Sequence, residues 1–174
     1  MKTTSNDVFN KLIEEYELPR DLSFKIDLPK EILDILNDEI QITELGIALK
    51  SNNNLRKPSH EWENQSIIEY DENHFHVDWY AKSGTSKEAF MLGIKTITLL
   101  AQKFTDQEIK GIQSIYSFQT PELGKRFSKE NNFHTDGDSY LMSDRLSFHK
   151  IRNGEKVMAP SVDFKFEAIL IIEI

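Results

Sequence analysis

The residues predict an α+β fold with a largely antiparallel sheet, a long and mostly buried central helix, and shorter flanking helices. Three observations predict it. Residues 85–104 carry one continuous helical pattern with apolar groups on most faces. Several shorter segments alternate apolar and polar side chains with the two-residue period of strands. Turn chemistry joins those segments as hairpins more often than as regular strand–helix–strand crossovers. No repeat or linker composition interrupts the 174 residues, so a single domain over 1–174 is expected.

Taken in order, residues 5–16 place Phe9, Leu12, Ile13 and Tyr16 at helical spacing, and Pro19 stops that helix. Leu22, Phe24 and Ile26 alternate and predict a short strand. Pro29 suits the first position of a second helix carrying Ile32, Leu33, Ile35 and Leu36, because the N–H it lacks has no helical partner there. Residues 40–49 read as a strand and residues 51–58 as an exposed loop. Ile67, Ile68 and Tyr70, then Asp71-Glu72-Asn73, then the alternation of Phe75, Val77 and Trp79 with His74, His76, Asp78 and Tyr80 predict a hairpin. Thr85 and Glu88 have capping-box spacing at the start of the long helix, which would run about 30 Å. Its apolar surface comes from Phe90, Met91, Leu92, Ile94, Ile97, Leu99, Leu100, Ala101 and Phe104. A narrow polar stripe runs through Lys87, Lys95, Thr98 and Gln102.

Residues 112–118 read as a strand, and Thr120-Pro121 as the cap and first residue of a helix carrying Leu123 and Phe127. Residues 134–139 read as a turn. Tyr140, Met142, Leu146 and Phe148 share one strand face, and Asn153-Gly154 supplies a tight hairpin turn. From Val162 to Ile174 apolar residues recur two apart, with Ile169 and Ile171 on the reverse face, which predicts a long strand interior to the sheet.

Composition bounds the function. A chain of 20.3 kDa can bury about 70% of its extended surface, enough for an unassisted core. Zero cysteines exclude a disulfide scaffold, a thiolate metal site and a thiol nucleophile, and fit a reducing compartment. The first residues lead into a helix without a signal-type apolar run, and no window is long and apolar enough for a membrane span, so a cytoplasmic protein with no membrane contact is expected. The net charge is −8. Residues 1–87 hold 17 acidic and 10 basic groups, against 12 and 11 in residues 88–174. That field disfavours nucleic acid and favours a basic protein partner.

Candidate chemistry is sparse. His74, His76 and Asp78 would share one strand face within chelating reach. The stretch resembles the front of the metallo-β-lactamase ligand signature, but Trp79 stands where a second histidine belongs, and His60, His134 and His149 form no downstream ligand pattern. Asp136-Gly137-Asp138 lacks the further oxygen ligands of a calcium loop and reads as a turn. The seven glycines are isolated, which excludes nucleotide-phosphate cradles and leaves a Lys125-Arg126-Phe127 acetyltransferase reading without its pyrophosphate loop. Ser86 has no nucleophile elbow around it. Arg145, His149, Lys150, Arg152 and Lys156 form one basic locality, best explained as charge on an exposed hairpin. No catalytic residue, cofactor or metal is therefore assigned, with a small metal-dependent hydrolase using His74, His76 and Asp78 as the alternative.

What is left is a binding surface. Residues 60–80 combine aromatics with carboxylates: Glu61, Trp62, Glu63, Glu69, Asp71, Glu72, Asp78 and Tyr80. Desolvated aromatics supply binding energy and carboxylates steer a basic partner. In size, acidic balance, lack of cysteine, order of elements and the stretch Ser143-Asp144-Arg145-Leu146-Ser147-Phe148-His149-Lys150-Ile151-Arg152-Asn153-Gly154-Glu155, the chain resembles the immunity proteins of bacterial contact-dependent growth inhibition and related polymorphic toxin systems. Those proteins share no functional motif, so the resemblance transfers no residue roles. It implies a non-catalytic inhibitor that neutralises a cognate toxin domain, often a basic nuclease, by one-to-one binding.

Overall fold

The computed structural model describes residues 1–52, 54–131, 142–155, 157 and 163–174. Among these residues the fold is α+β: a four-stranded antiparallel sheet, a separate two-stranded hairpin and five α-helices. The chain opens with strand β1 (Lys2–Ser5), which the sequence pattern hides because Lys-Thr-Thr-Ser offers no apolar residue. Its first three residues are exposed, as an edge strand allows. Helix α1 (Asp7–Glu15) follows and buries Phe9, Leu12 and Ile13, and Asn6 caps it by accepting the Phe9 N–H at 2.9 Å.

Leu22, Phe24 and Ile26 form no strand. They pack against the core from irregular backbone, so their alternation reflects partial burial without a pairing strand. Pro29 sits one position before helix α2 (Lys30–Asn37). The expected strand over 40–49 is a hairpin of β2 (Ile40–Thr43) and β3 (Gly46–Leu49), turned at Glu44-Leu45.

Residues 67–80 depart most from expectation. They build helix α3 (Gln65–Glu72), then an extended link whose Phe75 bridges to Leu146, then a 3-10 turn over Asp78–Tyr80. Asn64 caps α3 by accepting the Ile67 N–H, and Ile67, Ile68 and Tyr70 are buried as an i, i+1, i+3 set that serves a helix as well as a strand.

Helix α4 (Ser86–Asp106) is the central core element. Thr85 caps it, but Glu88 turns its carboxylate to the Ser83 N–H, so the reciprocal bond of a capping box is displaced by two residues. Phe90, Ile97, Leu100 and Phe104 are completely buried. Gly93 lies so close to the Tyr116 ring that an added Cβ would stand 1.9 Å from Cζ. Lys103 donates to the Leu36 and Asp38 carbonyls and so ties α4 to the end of α2.

Strand β4 (Ile112–Gln119) leads through Thr120 into helix α5 (Pro121–Glu130). Strands β5 (Ser143–Lys150) and β6 (Ala168–Glu173) complete the sheet in the order β1-β6-β4-β5. Asn153-Gly154 does form a turn, with Gly154 at φ +82°. It is not a hairpin turn, because β6 pairs with β4 and β1 and not with β5. The terminal strand is interior as expected but shorter, with Phe164 and Phe166 ahead of it. The expected turns at 134–139 and Asp136-Gly137-Asp138, and Tyr140, Lys156 and Val162, lie outside the described residues. No helix among the described residues is long and apolar enough to cross a membrane.

Candidate functional site

The site is built along β5, which the strand order leaves at the edge of the sheet. Residues 66–78 run beside it and occupy that edge. The Ser66 hydroxyl donates to the Lys150 carbonyl at 3.1 Å, the Ser147 hydroxyl donates to the Tyr70 carbonyl, and the Asn73 amide donates to the Phe148 carbonyl at 3.2 Å. Phe75 and Leu146 exchange backbone bonds of 2.9 and 3.0 Å. Covering an edge with side chain and backbone partners removes a template for unwanted strand pairing.

At the end of this seam, Asp144 of β5 reaches back to the turn that follows α3. Its carboxylate accepts the Val77 N–H at 3.0 Å and the Asp78 N–H at 3.1 Å. His76 Nδ1 stands 3.6 Å from Asp144 Oδ1. His76, Asp78 and Asp144 each present a ligand atom within 4.8 Å of the others. His74, expected to share this face, is exposed and directs Nδ1 at the Asp71 carbonyl. The strand geometry that would have aligned His74, His76 and Asp78 is replaced by a bend, and Asp144 takes the third place.

Burial raises the Asp144 carboxyl to about 7, opposed by the His76 imidazole 3.6 Å away and reinforced by the neighbouring Asp78 carboxylate. The close approach of Asp144 in turn raises the imidazole of His76. Asp78 Oδ1 is buried without a hydrogen-bond partner. Beside the cluster lies a cavity of about 250 Å³, lined by Tyr70, Ser117, Gln119, Arg145 and Glu167 together with His76 and Asp144.

The eight acidic and aromatic residues expected to form one binding face divide into several fates. Glu61 and Trp62 are exposed, with Trp62 64% accessible and stacked on His60 at 5.5 Å. Glu63 is engaged by Arg56 at 2.8 Å, which holds its carboxyl well below the usual range. Glu69 is fully buried and bound by Arg152 at 2.6 Å, so it is absent from the surface. Asp71 is exposed but paired with Arg145, whose guanidinium lies 4.4 Å over the Tyr70 ring. Glu72 and Tyr80 are half-buried, and Asp78 belongs to the cluster.

Trp79, expected on an apolar inner face, is 74% exposed and stacked on His76 at 4.8 Å with 17° between the rings. The 3-10 turn rotates it outward while Val77 remains buried. Asp144 is the other residue that sequence reasoning misses, since nothing local marks it as a partner of a segment some 66 residues earlier. The expected basic locality is dispersed: Arg145 and Arg152 are paired with acids, and burial lowers the His149 imidazole.

These features define an α+β chain whose 60–80 segment seals a sheet edge, displays two stacked indoles and places an imidazole against two carboxylates. The chain belongs to the Uncharacterized protein PM0498 family, whose match spans residues 4–174. No curated protein and no solved structure matches it.

Proposed function

We propose that this chain is a binding protein without catalysis of its own, acting in the cytoplasm as an immunity protein that neutralises a basic toxin domain by one-to-one association. The observation that carries the reading is the pair of exposed indoles, Trp62 and Trp79, each stacked on an imidazole and set at opposite ends of an acidic segment. A stacked ring has lost rotamer freedom before binding, so burying it against a partner costs less ordering entropy. Exposed tryptophans are also the side chains from which binding hot spots are most often made. The acidic first half supplies the steering field. The immunity role itself comes from the resemblance in size, charge and the 143–155 stretch.

The test is to express the C-terminal domain encoded beside this gene with and without this protein. Growth arrest relieved by the wild type, and not by a Trp62→Ala, Trp79→Ala double variant, supports the proposal. A domain that does not arrest growth, or relief indifferent to both indoles, overturns it. With the purified pair, the association rate is expected to fall at least about tenfold between 50 and 500 mM salt if charge steers the encounter. A second reading, metal-dependent hydrolysis, is favoured only by the approach of Asp144 to His76 and Asp78, with His74 outside the group.

A further inference from the structure

The His76, Asp78 and Asp144 donors converge on a backbone that holds them there. His76 and Asp78 are two residues apart, and Asp144 clamps the chain between them through the Val77 and Asp78 N–H groups. Donors bound to one cation at ~2.1 Å stand roughly 3.0–3.5 Å apart. His76 and Asp144 are already at 3.6 Å, and the widest pair has to close by about 1 Å from its present limit of 4.8 Å. Asp78 Oδ1 is meanwhile buried beside the Asp144 carboxyl and gains a donor only when the two acids share a proton, so with both ionised it has none. The imidazole side chain retains 27% of its exposure and so leaves an entrance.

We propose that His76, Asp78 and Asp144 form a site for one divalent transition cation, Zn²⁺ or Mn²⁺. One imidazole nitrogen with two carboxylate oxygens suits these ions, and a chain without cysteine cannot offer the thiolates that select softer ones. Three protein ligands leave coordination positions for water on the side of the 250 Å³ cavity. The cation takes the free lone pairs of Asp78 and neutralises two carboxylates that otherwise repel each other. This site is independent of the partner-binding reading and stands or falls without it.

Trp79 supplies the readout, because its ring covers His76 and the chain has only one other tryptophan. Tag-free protein, stripped with a chelator, is titrated with Mn²⁺ while tryptophan emission is followed, and with Zn²⁺ by calorimetry. One equivalent is expected to bind, with saturable quenching by paramagnetic Mn²⁺. His76→Ala and Asp78→Asn each weaken it at least about tenfold, since even outer-shell changes at metal sites cost 10–100-fold. Quenching disappears in Trp79→Phe although calorimetric Zn²⁺ binding persists, whereas Trp62→Phe and His74→Ala behave as the wild type. Circular dichroism of the two ligand variants separates lost ligation from lost folding, and neither substitution removes the Asp144 clamp. Absence of stoichiometric binding overturns the proposal, as does binding that survives both ligand variants or that requires His74.

Discussion

Two buried carboxylates fasten the same segment to opposite ends of β5, and their surroundings differ. Glu69, near Lys150, has both oxygens occupied. Oε1 accepts from the Ile47 N–H at 2.9 Å and from Arg152 at 2.6 Å, while Oε2 accepts from the Lys150 N–H and again from Arg152. This is a forked, charge-balanced pair. Asp144, at the other end, accepts two backbone N–H groups but faces a second carboxylate, with a half-exposed imidazole as its nearest source of positive charge. The first arrangement is complete and has nothing left to bind. The second sets two carboxyls against one imidazole and lacks a cation whenever both acids are ionised, and that imbalance, more than the number of acids, distinguishes a place for a ligand from a structural strut.

The comparison breaks most visibly at Arg152. Removing the guanidinium leaves Glu69 buried and uncompensated, so Arg152→Ala is expected to cost about 3–5 kcal/mol in urea unfolding. A loss under about 1 kcal/mol would mean that Glu69 is not the strut described here. Gly46 tests the same pair from behind. An added Cβ would stand 1.7 Å from Glu69 Oε1, on backbone at φ +133°. Gly46→Ala is therefore expected to cost about 2–3 kcal/mol, from left-handed strain together with displacement of the carboxylate. Gly84→Ala, at φ +64° with open space around it, carries only the conformational part, about 1 kcal/mol.

How much of this was legible in the residues depends on how far apart the partners lie. Helices α1, α4 and α5 were readable because caps such as Thr85 and Thr120 and the spacing of their apolar groups are local signals. The interior position of β6 was readable from apolar groups on both of its faces. Residues 67–80 were not, because an alternating run such as His-Phe-His-Val-Asp-Trp-Tyr satisfies a strand pattern while its backbone bends into a 3-10 turn held by Asp144. The same bend puts Trp79 in solvent and His74 outside the cluster. Two of the three members of the candidate metal site, His76 and Asp78, could be named from spacing. Its third member could not, since the contact is made by tertiary packing.

Asp144 sharpens the comparison through pH. Its carboxyl, raised from 3.8 to about 7, holds a proton in the folded chain that the unfolded chain has already released. Stability contributed by that proton is complete below about pH 4, falls as pH rises, and is exhausted above about pH 7. In metal-free protein, Asp144→Asn is expected to flatten this decline by about 1 kcal/mol or more between pH 4 and pH 8, measured as the difference in urea midpoints from the wild type, a change that includes the His76 imidazole, which Asp144 raises and which loses stability with rising pH in the same sense. The His149 imidazole, lowered by burial, works in the opposite sense in both proteins and cancels in that difference. A decline unchanged in the variant would place the titration elsewhere and remove the contrast with Glu69.

The smallest stability effects belong to the indoles, and their smallness is what makes them informative. Trp62 and Trp79 are mostly in water and contribute little to the core, so either one changed to Ala is expected to shift unfolding by no more than about 0.5 kcal/mol. Against a protein partner the same substitutions are expected to cost about 2 kcal/mol or more each, roughly a thirtyfold loss of affinity read by calorimetry. A side chain selected only for packing would show the reverse ratio. An exposed indole whose removal spares folding and abolishes association acts through the surface it presents, and the charge-short cluster beneath Trp79 can then be varied separately, because filling it with a cation alters His76 without burying the ring stacked upon it.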